Sequence, residues 1–169
     1  MAPEDGTRPF SSAEFRSALG LFPTGVVVVT ATTDQGEDLG ATVSSFNSVS
    51  LDPPLVLWSV AKSSHAYDKW KRAQGFAVNI LASDQQHLSQ QFAAPLADKW
   101  RNVPKSRGIN IDAPLISDAL ATLECRTYRQ VEAGDHLVIL GLVEALSTLR
   151  DTGRNALLFF RGEYSAVAV

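Results

Sequence analysis

Residues 24–60, TGVVVVTATTDQGEDLGATVSSFNSVSLDPPLVLWSV, decide the fold. Val26 to Thr33 is an unbroken β-branched and alanine run, Asp34-Gln35-Gly36 forms a turn, and Leu39 to Ser50 is a second β-like stretch, so the segment reads as a hairpin. Asp52-Pro53-Pro54 interrupts it, because proline brings no amide hydrogen to a sheet ladder, and Leu55 to Val60 resumes as a third strand.

Outward from there the strand texture continues. Phe76 to Leu81 is a fourth strand, and Leu120 to Val131 and Leu137 to Leu149 are two long strands joined through Glu132-Ala133-Gly134-Asp135-His136. Leu157 to Val167 is the last strand. Three helices are short. Ser11 and Glu14 have capping-box spacing, Phe10 and Phe15 suit a hydrophobic staple, and Phe15, Ala18, Leu19 and Phe22 form one helical stripe closed by Gly20 and Pro23. Ser63 or Ser64 is placed to cap a helix reaching about Arg72, and Ser83 with Gln86 repeats the capping-box spacing ahead of a helix ending near Phe92. Residues 94–118 read as a loop, and a loop of that length inside a compact domain is more often functional than idle. About seven strands without regular strand and helix alternation predict a mainly β antiparallel barrel, with three short peripheral helices. Closure also removes the exposed edges of valine-rich strands.

The whole chain of 169 residues, 45% apolar and 20% charged, suits one domain over residues 10–169 after a flexible arm at 1–9. A net charge of −3, spread without blocks of like sign, argues against a nucleic-acid partner. Aliphatic runs such as Val26 to Val29 are too short to span a bilayer. Cys125 stands alone, so no internal disulfide forms, and the protein reads as cytoplasmic.

Missing motifs narrow the chemistry. There is no G-x-G-x-x-G after a strand, no G-x-x-x-x-G-K-[ST], no H-E-x-x-H and no C-x-x-C. His65, His87 and His136 lie far apart, none at metal-ligand spacing, so no metal site is expected. Three stretches remain. The first is Gly40 to Pro54, where Thr42, Ser44, Ser45, Asn47, Ser48 and Ser50 put small hydroxyl and amide groups on a β stretch. They suit a half-exposed strand face, and equally a strand edge that hydrogen-bonds a flat polar ligand at close approach. The second is Lys62-Ser63-Ser64, where a helix start, two hydroxyls and an ammonium suit a phosphate, or simply an N-cap beside a solvated lysine. The third is Gly134-Asp135-His136, a tight turn that also carries an imidazole, a proton donor near neutral pH.

Taken together, TGVVVVTATT at 24–33, GATVSSFNSVSLDPPLVLWSV at 40–60, KSS at 62–64, FAVNIL at 76–81, GDH at 134–136 and LLFFRGEY at 157–164 resemble the short-chain flavin reductases, the reductase components of two-component flavin-dependent monooxygenases. The match is ordered and runs from about Phe15 to Tyr164. It implies an antiparallel split β-barrel of Greek-key type and a homodimer with flavin near the subunit interface. It further implies hydride transfer from NADH or NADPH to FMN or FAD, with a flavin-dependent monooxygenase as partner. By position, Thr42, Ser44 and Ser45 approach the isoalloxazine and ribityl chain, Ser59 and Ala61 line the ribityl and phosphate, and Ser64 caps the phosphate. Relatives usually carry an arginine just before the phenylalanine that ends the third helix. This chain has Gln91 before Phe92, which implies either weaker phosphate affinity or Lys62 as the compensating cation. His136 and the turn Phe160-Arg161-Gly162 fall on the nicotinamide side. Rival expectations are a flavoprotein that keeps FMN as a permanent electron carrier, a pyridoxamine-phosphate-oxidase-like enzyme, whose basic phosphate cluster is not evident, and an interaction domain.

Overall fold

The structure, a computed structural model, describes residues 9–95, 98–149 and 153–167. The expected arm at 1–9 lies outside the described residues except for exposed Pro9. Described elements run α1 (Ser12–Leu19), β1 (Thr24–Gly25), β2 (Val27–Thr32), β3 (Asp38–Val43), β4 (Asn47–Leu51), β5 (Pro54–Ala61), α2 (Tyr67–Arg72) and β6 (Gly75–Ile80). A 3₁₀ turn (Ser83–Gln85) then leads into α3 (Gln86–Ala93), followed by β7 (Lys105–Arg107), β8 (Pro114–Ile116), β9 (Ala121–Ala133), β10 (His136–Thr148), β11 (Leu157–Phe160) and β12 (Glu163–Ala166). The protein is mainly β with three α-helices among the described residues, and its sheets are antiparallel.

A seven-stranded sheet in the order β3-β2-β6-β9-β10-β5-β4 carries the molecule, with a three-stranded sheet β1-β11-β12 and the hairpin β7-β8 beside it. The large sheet curls strongly. Trp58 of β5 and Phe76 of β6 stand three strand positions apart, about 14 Å on a flat sheet, yet their rings meet edge-on at 5.8 Å. Trp70 of α2 closes on Trp58 from outside, edge-on at 4.9 Å. Edge-to-face pairs of this kind contribute about 0.5–1.5 kcal/mol beyond area burial.

The valine run lacks alternation because both faces of β2 are covered. Val27, Val29 and Ala31 enter the core with Trp58 and Phe76, while Val26 and Val28 enter a second core with Leu88 and Phe92 of α3. Buried polar groups on this wall are partnered: Thr30 Oγ1 donates to Pro114 O at 2.6 Å, and Asn79 accepts from Ile116 N at 2.8 Å while donating to Val28 O at 3.0 Å. These bonds hang β8 on β2 and β6.

Several elements differ from the sequence expectation. The stretch Leu39 to Ser50 breaks into β3 and β4 at residues 44–46, and those two strands are the opposite edges of the large sheet. Leu157 to Val167 is a hairpin rather than one strand, because Arg161 and Gly162 take φ of +52° and +84° and reverse the chain. The stretch 94–118 includes the hairpin β7-β8. The capping pair before α3 is displaced by one residue: Gln85 Oε1, not Gln86, accepts from Ala82 N at 3.1 Å.

Cys125 is buried between sheet layers, and burial, with Glu144 and Glu124 nearby, pushes its thiol up to about 12. Its reactivity as a thiolate is therefore suppressed. The native protein at pH 8 is expected to resist iodoacetamide and to take one label only in denaturant; labelling of the folded state would contradict this burial.

Candidate functional site

Residues 44–46 link the two edge strands and bring the hydroxyl-rich stretch against β5. The pairing of β4 with β5 stops at Asn47 opposite Leu57, so the edge of β5 from Trp58 to Ala61 has no strand beside it. Ser45 covers part of that edge: its Oγ accepts from Ser59 N at 3.0 Å and lies 3.3 Å from Ser59 O, to which it donates. Thr42 Oγ1 donates to Ser89 O of α3 at 2.6 Å. Both hydroxyls thus shape the edge, and Ser44 is the member of the trio that lines an open cleft.

The KSS stretch is built differently from its expectation. Helix α2 starts only at Tyr67, after Ala66 and with no side-chain cap. Ser64 instead sits in a turn, donating its N–H to Ala61 O at 3.0 Å and accepting from Ala66 N on Oγ at 3.3 Å. The helix start moves because Ser64 O already accepts from Tyr67 N in that turn. Lys62 turns away to Glu132, 3.2 Å off, and the same carboxylate takes Lys71 at 3.2 Å. Hydrogen bonds from Lys71 and Lys62 hold the Glu132 carboxyl below its ordinary range. In this structure Lys62 thus shares the Glu132 carboxylate with Lys71.

A cleft of about 820 Å³ does open beside Ser63, Ser64 and His65, and its opposite wall is Gly40, Ala93 and Lys99. Lys99 Nζ donates to Phe92 O at 2.8 Å and to Gly40 O at 3.4 Å, and burial lowers its pKa. Sequence reasoning missed Lys99, because it falls in the stretch read as a loop without periodicity. Gln91 explains its placement: Nε2 donates to Lys99 O at 2.8 Å and to Arg101 O at 3.0 Å. Phe92, 1% exposed, packs edge-on against Trp100 at 4.8 Å. Gln91 and Phe92 thus carry the wall of this cleft from behind.

The same wall is anchored on β3 by charge. Asp38 meets Lys105 at 2.6 Å and Arg107 at 2.7 Å, while its carbonyl accepts from Trp100 Nε1 at 3.0 Å. Burial works to raise the Asp38 pKa, but the hydrogen bond and charge of Lys105, with hydrogen bonds from Arg107 and Thr32, outweigh it and hold the carboxyl low. A depressed folded-state pKa stabilises the fold above the ordinary aspartate range, and that contribution is lost as pH falls through the lowered value. Asp38→Asn is expected to loosen residues 98–107, seen as faster amide exchange near neutral pH, with the difference from wild type shrinking in acid. A difference that grows in acid would reverse the assignment.

Gly134 and Asp135 form a two-residue turn between β9 and β10, with Gly134 at φ +57°, a region closed to most side chains. His136 pairs with Ala61 across β10 and β5, and Lys62 N donates to Asp135 O at 2.8 Å. The tip of the hairpin is thereby fixed to the end of β5. Asp135 Oδ1 lies 2.8 Å from His136 Nδ1, which orients the ring.

A second cleft, about 870 Å³, lies between α1 and the β11-β12 turn and is lined by Ser44, Arg161 and Gly162. Arg161 N donates to Gly20 O at 2.9 Å, and its guanidinium lies 5.2 Å from the Phe160 ring centre. The expected residues therefore fall into three neighbourhoods: Ser44 with Arg161 and Gly162, Ser64 before the wall held by Gln91 and Phe92, and Ala61 with Lys62 and His136. Strand β5 and residues 44–46 connect them.

The model of the flavin reductase like domain family matches residues 19–168. The chain is 41% identical over 160 residues to the stachydrine N-demethylase reductase subunit Stc3 of Rhizobium meliloti, covering 95% of this chain and 68% of that protein. It is 47% identical to the FMN reductase (NADH) SmoA of Agrobacterium fabrum, covering 79% of this chain and 75% of that protein. Two further curated relatives are matched over about half their length, 49% and 47%. Among solved structures, the Streptomyces globisporus NADH:FAD oxidoreductase SgcE6, in complex with NAD and FAD fragments, superposes with a TM-score of 0.88 at 36% identity, covering 96% of each chain.

Proposed function

Because the chain belongs to the flavin reductase-like domain family, we propose that it transfers a hydride from NADH or NADPH to FMN or FAD and supplies the reduced flavin to a partner monooxygenase component. The observation that carries this reading is the edge of β5 beyond Leu57, which no strand covers and on which Ser45 of the link 44–46 sits, with one cleft lined by Ser44 and another by Ser63 and Ser64. Small side chains and partnered hydroxyls leave room there for a flat ring system, so the residues fit a flavin.

The nicotinamide and the flavin supply the redox chemistry themselves, and the protein's task is placement. Orientation of two bound reactants is worth up to about 7–11 kcal/mol of barrier. Thr42, Ser44 and Ser45 form the wall toward the isoalloxazine and ribityl chain; Ser59 and Ala61 continue it along β5. Ser64 and Lys99 flank the cleft that suits the flavin phosphate. His136, oriented by Asp135, and the Phe160-Arg161-Gly162 turn bound the nicotinamide side.

The reading includes a single domain over residues 10–169, a split β-barrel of Greek-key type, a homodimer and a cytoplasmic setting. The curl of the large sheet and the adjacency in sequence of its two edge strands support the barrel. The stripe on α1 supports the homodimer: Phe15, Leu19 and Phe22 are 50%, 58% and 72% exposed, a largely open apolar face among the described residues. Phe15→Asp is expected to shift the sedimentation coefficient from dimer to monomer; an unchanged monomeric value in the wild type would remove this part.

Anaerobic absorbance of the flavin band tests the reaction. Bleaching on addition of NADH or NADPH with FMN or FAD, by a protein that purifies nearly colourless, is the expected result. A band unchanged with every pairing of donor and flavin would overturn the reading.

A further inference from the structure

The cleft between α1 and the β11-β12 turn has an unusual lining. It holds two guanidiniums, Arg16 and Arg161, three hydroxyls, Ser17, Thr24 and Ser44, and no carboxylate. Several other cations of this chain meet carboxylates: Lys62 and Lys71 at Glu132, Lys69 at Glu37, Lys105 and Arg107 at Asp38. Among the described residues neither Arg16 nor Arg161 is in an ion pair, although the protein is net acidic.

The backbone of the turn that carries Arg161 is held in place. Arg161 takes a left-handed φ of +52°, a strained backbone for a residue with a Cβ, and its N–H is bonded to Gly20 O just past the end of α1. That bond ties the turn carrying Arg161 to the helix carrying Arg16. Two guanidiniums lining one concave surface offer charge-assisted hydrogen bonds to a ligand with two negative charges. Of the apolar lining, Leu21 and Phe159 suit the rings of such a ligand, while Leu19 and Phe22 belong to the proposed dimer face.

We propose that this cleft takes the pyrophosphate of the nicotinamide dinucleotide, with Arg16 and Arg161 as its two cationic partners. The inference rests on the flavin reductase reading and adds α1 to the donor site. A phosphate could also come from the flavin, but Ser64 and Lys99 line a separate cleft suited to a single phosphate, whereas two guanidiniums match a pyrophosphate. Ser44, at the mouth of the α1 cleft and on the flavin-facing link, is where the two substrates meet.

Arg16→Gln, an exposed helix position, tests it with two donors: NADH and a phosphate-free N-alkyl dihydronicotinamide. The ratio of the KM for NADH to that for the phosphate-free donor is expected to rise about ten-fold or more, the loss of one charge-assisted hydrogen bond. Arg16→Lys restores part of the ratio, and Arg161→Gln repeats the rise. Equal changes for both donors, or a loss that follows FMN against riboflavin instead, would overturn the proposal. Calorimetric titration of flavin-free protein with NAD+ separates the two readings. Weaker NAD+ binding by Arg16→Gln in a protein that reduces no flavin would keep the cleft and sink only the reductase reading. Binding that ignores Arg16, or no NAD+ binding by the wild type, would sink the cleft and leave flavin reduction to be judged by its own assay.

Discussion

His136→Ala is expected to lower the turnover of NADH with flavin by about 10²-fold, the cost of a small misplacement between reactants, while flavin affinity changes little. The imidazole sits at the end of β10, opposite Ala61, with Nδ1 held by Asp135 and the turn beneath it fixed by the bond from Lys62 N to Asp135 O. A ring so braced can define one wall of the nicotinamide position without being needed for the flavin, for which the proposed wall is the 42–45 edge and β5. Stopped-flow reduction under anaerobic conditions reads the hydride step, and fluorescence quenching of FMN reads affinity. A proportional loss of both would show that the turn is purely structural.

Gly40→Ala is expected to cost about 1–3 kcal/mol of stability, the usual penalty for overfilling a packed site, and to weaken FMN relative to riboflavin. A Cβ on Gly40 would lie 2.3 Å from the Phe92 ring, far inside contact distance. Phe92 has no slack, since it is buried against Trp100 and the second core. Displacing it would shift the Phe92 and Gly40 carbonyls that hold Lys99 Nζ, and with them the phosphate cleft. Urea unfolding and the FMN to riboflavin affinity ratio measure the two consequences. Unchanged stability would show that Phe92 has somewhere to go, and an unchanged ratio would detach Lys99 from the phosphate.

Local signals in the sequence carried furthest. The Ser11 and Glu14 capping box forms with both its hydrogen bonds, at 3.2 Å and 2.8 Å, because every group it needs lies within three residues. The valine run, the strand after Pro53-Pro54 and the glycine turn before His136 likewise announce themselves through period and backbone preference. What failed depended on distant partners. The pairing of Lys62 with Glu132, 70 residues away, has no local signal. The fold-back at Arg161 is hidden because a left-handed arginine leaves no mark in composition, and only Gly162 beside it hints at a turn. The short strand β8, on which β7 pairs, is held because Asn79 and Thr30 reach across to it, a fact that no window of sequence contains. Lys99 and Arg16 were missed for the same reason: each acquires meaning only from the cleft it lines.

The deep placement of Cys125 has a bearing on how long such a catalyst lasts. Reduced flavin released into aerated solvent reacts with dioxygen and yields hydrogen peroxide, so the enzyme's own product generates an oxidant around it. A thiol with its pKa at about 12 presents almost no thiolate to that peroxide, and the chain has only one other sulfur atom, in Met1. Its working life should accordingly be limited by loss of fold rather than by sulfur chemistry.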